Sequence, residues 1–564
     1  MDDVDSVQAQ IARNMLDSGD WVTARLNGVA YLEKSPLLYW MMATSYRIFG
    51  VHDWAARLPL ALAVVLLCWV TYRFGRWVFD DEAGLYAGVA LATSVGLFLF
   101  TRILIPDAIV TLVITGAIWA WLLLLEPGGR STLRSSVALG ACLGIGLLLK
   151  GLIAVVFPLA AGLAYLTITR QLLSADSWRR LHLRVVAVVV LAIAVPWHVL
   201  ATMRNPPYFS PSLHSGPGEY HGFFWFYFVN EHVLRFLNLR YPRDYNTVPR
   251  LWFWLLNLVW IFPWSVYLLG LRRVSLRADS RAGRARLMAL CWIGAVMVFF
   301  TFSTTQEYYS MPIYPAVALL VGSVLSSRSR WVPIGTRILQ VIFALLFVVL
   351  SALLLLVRRE PAPGNIASAL TQHPELYSLS LGHMQDLTLH AFAYLKVPLA
   401  LAAFAFGAGA LALLASRSNV RRTVLVLAAV MIVFFQAARI ALIRFEDYLG
   451  SYPLAQSLQQ SPPGQLIEAD AYYAFSSVFF YTGRTAFLLN GRNNNLEYGS
   501  YAPHAPDVFI DDARFVLMWN QPGRYYLLTY GADLPRLEHL VGRSNLRVVK
   551  ENAGSYLLTN HPFS

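Results

Sequence analysis

Charge is scarce in this 564-residue chain. Asp, Glu, Lys and Arg together make up 14% of it, against 57% hydrophobic residues. Soluble domains carry about 25% charged and about 45–50% apolar residues, so a disordered chain and a single soluble domain are both excluded. Cysteine is nearly absent. Cys68, Cys142 and Cys291 all sit in apolar runs, and an odd, buried set argues against a disulfide framework and against a cysteine metal site. No Gly-x-x-x-x-Gly-Lys-Ser/Thr loop occurs, which excludes an ATP-driven pump of that kind. Gly407-Ala408-Gly409-Ala410 lies inside an apolar run and reads as helix packing, not a nucleotide fingerprint. The middles of the apolar runs lack the strongly charged side chains that an ion or proton relay needs. There is no internal repeat, no low-complexity tract and no signal-peptide pattern within 1–56.

What is there is apolar sequence in span-length pieces, with a mean hydropathy of +0.51. A crossing helix takes about 17–25 residues. Runs of that kind lie at 57–78, 84–102, 108–125, 185–203, 251–271, 287–303, 311–326, 338–357, 393–415 and 423–442. The stretch 135–169 is too long for one span and has Lys150-Gly151 at its centre, so it reads as two short helices meeting there. Twelve crossings are expected in all. The net charge of +13 then reflects arginines that orient the chain, not nucleic-acid binding. Loops 170–184, 271–286, 327–337 (with Arg328) and 416–422 (with Arg417) are arginine-rich. Placing all four in the cytoplasm leaves 1–56, 204–250, 358–392 and everything after 443 outside. Three regions follow: an external first loop over 1–56 with interfacial helices (Val7, Ile11, Met15, then Leu37, Leu38, Met41, Met42), a bundle over 57–442, and a small external α/β domain over 443–564. In that last region Arg514–Trp519, Tyr525–Tyr530, Leu546–Val549 and Tyr556–Thr559 read as strands.

The residues with chemistry gather at one depth, the outer interface. Asp2, Asp3 and Asp5 precede a helix, where acids also serve as caps. Tyr31-Leu32-Glu33-Lys34-Ser35-Pro36 puts a charged pair at headgroup depth, with Lys34 as a phosphate clamp or a snorkelling side chain. Asp107 follows Pro106 in a very short turn, as a helix cap or as a carboxylate held at the membrane face. Lys150 at the tip of an apolar hairpin favours phosphate binding over snorkelling. In the loop Arg204–Arg250, Glu231, His232 and Arg235 share one helical side. Glu33 with His214 or His221 is the candidate pair for a divalent metal, although no close ligand spacing supports it. Carboxylates and cations around an apolar cleft suit an amphiphile with a phosphate head and a long tail. Cations would stabilise the departing phosphate, and a carboxylate would deprotonate an acceptor hydroxyl. Direct displacement of this kind inverts the anomeric centre, whereas a double displacement needs a nucleophilic carboxylate.

The run Ile11-Ala12-Arg13-Asn14-Met15, Gly19-Asp20-Trp21-Val22-Thr23-Ala24-Arg25-Leu26-Asn27-Gly28 and Tyr31-Leu32-Glu33-Lys34-Ser35-Pro36-Leu37 resembles the first external region of aminoarabinose transferases. These are lipid A-modifying members of the protein O-mannosyltransferase superfamily. Pro106-Asp107, Leu149-Lys150-Gly151, Glu231-His232-Val233-Leu234-Arg235-Phe236 and Tyr314-Pro315-Ala316-Val317-Ala318 extend the resemblance over roughly 5–325. It implies the GT-C fold, a polyprenyl-phosphate sugar donor, a lipid or glycolipid acceptor, chemistry on the periplasmic face of the bacterial inner membrane, and an essential acid in the first loop. It also implies a further span before that loop, so an upstream in-frame hydrophobic segment is expected. The family's Asp-Glu-x-Arg-Tyr-Ala motif falls on Val4-Asp5-Ser6-Val7-Gln8-Ala9, with Val4 at the essential acid. Asp5, or a shifted Asp2 or Asp3, is therefore expected to be the base, with Asp107 positioning the sugar or sharing that role. Lys34, Lys150, Arg235 and Tyr31 are expected at the donor phosphate. A monomeric, inverting glycosyltransferase is the expectation. A protein O-glycosyltransferase using the same donor and a non-catalytic lipid-sugar flippase are the alternatives.

Overall fold

The computed structural model describes residues 1–126, 133–243, 248–327, 329–362, 364, 366, 387–416 and 419–563. Arg328, Arg417 and most of the expected external segment 358–392 lie outside the described residues. The first loop holds α1 (Asp3–Ser18), a short hairpin β1 (Arg25–Leu26) and β2 (Val29–Ala30), and α2 (Leu37–Phe49). The bundle follows with α3 (Asp53–Val78), α4 (Asp81–Ala92), α5 (Val95–Phe100), α6 (Asp107–Leu125), α7 (Leu133–Lys150), α8 (Ile153–Ile168), α9 (Ala175–Leu181) and α10 (Leu183–Arg204). The segment after α10 carries α11 (Gly222–Phe224), which runs into a π-helix, Trp225–Leu234. Then come α12 (Arg250–Trp260), a 3-10 helix (Trp264–Arg273), α13 (Arg281–Phe302), α14 (Tyr314–Ser326), α15 (Trp331–Leu356), α16 (Lys396–Ser416) and α17 (Val420–Arg444).

Among the described residues, nine helical segments are long and apolar enough to cross a membrane. They match nine of the expected crossings, and the other three differ for local reasons. Ile153–Ile168 is apolar but short. The run 84–102 breaks between α4 and α5, where the Thr93 and Ser94 hydroxyls bond back to the Val89 and Leu91 carbonyls and Thr93 Oγ1 accepts from Trp264 Nε1 at 3.0 Å. The Val95 N–H goes to the Phe262 carbonyl at 3.3 Å. Irregular backbone is tolerated inside a bundle when protein groups satisfy it in this way. The run 251–271 bends by 96° between α12 and the 3-10 helix, at Phe262-Pro263, because proline lacks the N–H that would continue α12.

Small residues hold the helices close. At Gly84 of α4, a Cβ would lie 2.6 Å from the Arg76 amide nitrogen and 2.7 Å from the Tyr72 carbonyl of α3. At Gly322 of α14, it would lie 2.4 Å from the Ala83 carbonyl. The helix α4 is thus gripped from two sides through positions without side chains.

After α17 and the short α18 (Glu446–Leu449), the chain forms α19 (Tyr452–Gln460), β3 (Gln465–Ala469), α20 (Ser476–Thr482), β4 (Phe487–Leu489), α21 (Asn494–Ser500), β5 (Phe509–Ile510), α22 (Asp512–Trp519), β6 (Tyr525–Tyr530), α23 (Leu534–Val541), β7 (Arg547–Asn552) and β8 (Ser555–Thr559). The sheet order is β5-β4-β3-β6-β8-β7, with β3 to β6 parallel and β8 antiparallel to both neighbours. The expected strand at Arg514–Trp519 is helix α22 instead. Asp511 caps it by accepting from the Arg514 N–H at 2.8 Å, and Phe515, Met518 and Trp519 fall on one buried side. Strand alternation splits the sheet's apolar residues between two cores. Ile467, Leu489 and Leu527 pack with Phe515 of α22 and Leu537 of α23. Leu466, Leu488 and Leu528 join the core of the membrane bundle, which also contains Val7, Ile11 and Met15 of α1. The apolar side of α1 therefore turns into protein, between bundle and sheet.

Gly84→Val should overpack the α3–α4 contact and cost about 1–3 kcal/mol. The expected reading is an earlier thermal transition of the purified protein in detergent, with an unchanged transition counting against the close approach.

Candidate active site

Five segments distant in sequence line one cavity of about 410 Å³: the first loop, the turn before α6, the α7–α8 tip, the π-helix and the turn after α13. Its charged wall is Glu33, Lys34, Asp107, Lys150, Glu231 and Arg235. Leu152, Val156, Phe236, Leu237 and Phe299 form an apolar side.

Every one of these charges is paired. Lys34 Nζ bonds Glu33. Glu33 is also 3.7 Å from Arg235 and 3.6 Å from Arg240, and accepts from the Tyr31 hydroxyl at 3.2 Å. Burial alone would raise the Glu33 pKa, but Lys34, Arg240 and Arg235 outweigh it and hold the carboxyl down at about 2. Burial likewise works against the Lys34 charge, and Glu33 more than restores it, raising the ammonium above its ordinary value. Burial and Glu33 raise the Tyr31 phenol well above its ordinary value, so it stays a donor. Glu231 bridges Arg235 at 2.7 Å and Arg240, whose side chain has no exposed surface. Lys150 Nζ meets Asp107 Oδ1 at 2.5 Å and stands 4.8 Å above the Tyr309 ring. The Tyr309 hydroxyl in turn accepts from Arg235 Nη2 at 3.2 Å.

Local structure aims these groups. Asp107 opens α6 directly after Pro106. Gly151, at φ +75°, reverses the chain after Lys150. The π-helix and its C-cap present Glu231, His232 and Arg235 together, and π-bulges are frequent at functional sites.

The expected site residues fall into two groups. Lys34, Lys150, Asp107 and Arg235 share the cavity, and Tyr31 backs Glu33 from behind. The first-loop acids do not line it. Asp2 caps α1, accepting from the Asp5 N–H at 2.9 Å. Asp3 faces the sheet domain and accepts from the Ser477 N–H at 2.7 Å and the Ser451 hydroxyl at 2.9 Å. Asp5 is bound by Arg57 and by the Leu104 N–H at 2.7 Å, so it braces the backbone of the turn that carries Asp107. The metal pair is not brought together either. Three cations occupy Glu33, while His214 is exposed in the segment after α10. Among the described residues, no group of three or more His, Cys, Asp or Glu is placed to hold a metal ion, and this donor set does not fit one. Sequence reasoning set aside Arg240, Tyr309 and the pairing role of Glu231. Their signal was present only as charges and aromatics crowded into a mostly apolar chain.

Burial raises Asp3 to about 7, against the pull of its Ser477 and Ser451 hydrogen bonds. Burial and Asp2 raise Asp5 to about 6 despite Arg57. A carboxyl that holds its proton more tightly in the folded chain stabilises it at low pH and loses that contribution as pH rises through the folded value. Asp3→Asn keeps an acceptor for Ser477 but cannot ionise. It should flatten the fall in thermal midpoint between about pH 4 and 7; an unaltered fall would assign that titration to another group.

Residues 33–199 match the family model described as Dolichyl-phosphate-mannose-protein mannosyltransferase. The chain is 27% identical over 319 residues to the undecaprenyl phosphate-alpha-4-amino-4-deoxy-L-arabinose arabinosyl transferase 1 of Proteus mirabilis, covering 56% of this chain and 53% of that one. It is 29% identical over 334 residues to the corresponding transferase of Pseudomonas aeruginosa, covering 57% and 55%. The chain thus spans about half the length of the curated relatives it matches. The crystal structure of ArnT from Cupriavidus metallidurans bound to undecaprenyl phosphate superposes with a TM-score of 0.79 at 23% identity, over 99% of this chain and 93% of that one. The apo form of the same protein gives 0.75. The chain therefore has the GT-C fold of these ArnT structures, and over rather more than half its length it is similar in sequence to undecaprenyl-phosphate aminoarabinose transferases.

Proposed function

We propose that the chain is a membrane glycosyltransferase of the bacterial inner membrane. It takes a sugar of the aminoarabinose type from undecaprenyl phosphate and passes it to a lipid A-type acceptor at the periplasmic face. The observation that carries this reading is the convergence of Lys34, Lys150, Arg235 and Asp107 on one cavity that has an apolar side of Leu152, Val156, Phe236, Leu237 and Phe299. Such a site suits a phosphate with a long hydrocarbon tail. The names of the similar transferases support the donor and the sugar. The arginine-rich loops 170–184 and 271–286, which share none of the cavity wall, support a periplasmic site.

The chemistry follows from the pairing. An incoming phosphate competes with the carboxylates for Lys34, Lys150 and Arg235, and so frees Asp107 from Lys150. The acceptor oxygen then bonds the anomeric carbon as the bond from that carbon to the phosphate oxygen breaks. The hydroxyl proton passes to Asp107, and the departing phosphate keeps the electron pair, stabilised by the three cations. Glu33 and Glu231 are each held by two or more cations, which makes them poor nucleophiles and favours single displacement with inversion. A protein hydroxyl as acceptor is the second reading, favoured by the description of the family model matched over 33–199.

Purified protein with undecaprenyl-phosphate aminoarabinose should lose the sugar to lipid A, read as a mass gain on the lipid; a gain on a polypeptide instead selects the second reading. Lys34→Ala, Lys150→Ala and Asp107→Asn should each lower kcat by about 10²–10³. Full transfer by all three variants would refute this assignment of the site.

A further inference from the structure

The two lysines of the cavity come from distant segments, and a chain of hydrogen bonds ties the backbone beside one to the backbone beside the other. Ser35, next to Lys34, donates from Oγ to the Leu147 carbonyl of α7 at 3.1 Å and shares a short hydrogen bond with the Tyr227 hydroxyl. The Ser35 proton is engaged at Leu147, so Tyr227 is the donor in that pair. The Tyr227 carbonyl lies 2.6 Å from His232 Nδ1. A carbonyl can only accept, so Nδ1 carries the proton and Nε2 is left with a lone pair. That lone pair receives the backbone N–H of Leu152 at 3.1 Å, two residues past Lys150. Between them, Gly151 leaves room for the imidazole: a Cβ there would lie 2.2 Å from His232 Nε2 and 2.9 Å from the Tyr227 hydroxyl.

We infer that His232 is a positioning residue, and that the Ser35–Tyr227–His232 chain holds Lys34 and Lys150 at the spacing that lets both reach one lipid phosphate. The inference rests on the reading of these lysines as the donor-phosphate site and adds what sets their geometry. Ser35, Tyr227 and His232 bring no formal charge to the phosphate while His232 is neutral. The chain needs that neutral imidazole, because a protonated Nε2 cannot accept from Leu152. The charged and titratable groups around the ring are Glu231 and Arg235 on its own helix, His198 of α10, Tyr227, and Lys150 on the hairpin that it binds. Burial keeps its pKa below the ordinary histidine value of 6.5, so the clamp is closed at neutral pH and opens as pH falls through that lowered value.

The test uses the full-length protein in detergent, with undecaprenyl phosphate as the binding probe and sugar transfer as the rate assay. His232→Ala leaves the Leu152 N–H without its acceptor and should weaken probe binding about tenfold at neutral pH. His232→Gln offers an amide oxygen in place of Nε2. It should bind within about threefold of the unaltered protein at neutral pH and lose the acid-side fall in affinity. Tyr227→Phe, which cuts only the link to Ser35, should raise KM for the donor in the same direction. Unaltered affinity in His232→Ala, or the same acid-side fall in His232→Gln, would overturn the clamp. If the unaltered protein binds the probe no better than a Lys34→Ala, Lys150→Ala double variant, the phosphate site itself is wrong, and the clamp falls with it.

Discussion

Charge compensation in an apolar setting governs this molecule. An unpaired ion buried in a protein carries a penalty of several kcal/mol. Here Glu33, Glu231 and Asp107 meet Lys34, Lys150, Arg235 and Arg240 at the mouth of a hydrocarbon-lined cavity. Each group is tolerable because a partner neutralises it, and the pairs of Glu33 with Arg235 and Arg240 and of Asp107 with Lys150 join different segments. The arrangement of the loops follows from that need. The first loop cannot settle without the segment just after the π-helix, which supplies Arg235 and Arg240, and the hairpin tip cannot hold Lys150 inward without Asp107. A site built this way is already balanced, so under the proposed function an anionic headgroup would enter by exchange of partners and not by filling a bare positive hole.

Much of this was readable from sequence because a lone charge beside an apolar run is conspicuous. Lys34, Lys150 and Asp107 stood out on that ground, and Arg235 through its spacing from Glu231. The first-loop acids misled for a geometric reason. A helix turns about 100° per residue, as its 3.6-residue period requires, so Asp2, Asp3 and Asp5 point at three different neighbours: the helix start, the sheet domain and the turn before α6. A cluster in sequence was not a cluster in space. Arg240 escaped notice because its partners, Glu33 and Glu231, include one far away along the chain, and nothing local marks such a residue as buried. The fold shows the same division. Long apolar periods became long helices, whereas 84–102 broke where Thr93 and Val95 bond Trp264 and Phe262 across the bundle, partners that no window around that run contains. The bend in 251–271 has a local mark, Pro263. The segment 514–519 was lost to a cap, since Asp511 supplies the helix start that a run of apolar residues alone leaves open.

The π-helix shows how a local irregularity serves the site. Its wider turn costs backbone hydrogen-bond geometry, and it lets the Tyr227 carbonyl face His232 while Glu231 and Arg235 remain on the cavity wall. The aromatic side chains around it, Phe223, Tyr227 and Trp197 among them, make a rigid platform on which those few polar groups are mounted.

Helix α1 lies sandwiched between the membrane bundle and the sheet, with Asp3 bonded to Ser451 and Ser477 from the far end of the chain. This has a consequence for biogenesis. During synthesis the helices insert one by one while α1 waits half-covered, its Val7, Ile11 and Met15 lacking their final neighbours. Only when the last domain has emerged and docked are Asp3, Val7, Ile11 and Met15 fully covered. The chain is thus assembled tail over head, and a ribosome that stalls before the sheet is finished leaves a membrane-inserted chain whose first helix is open on one side.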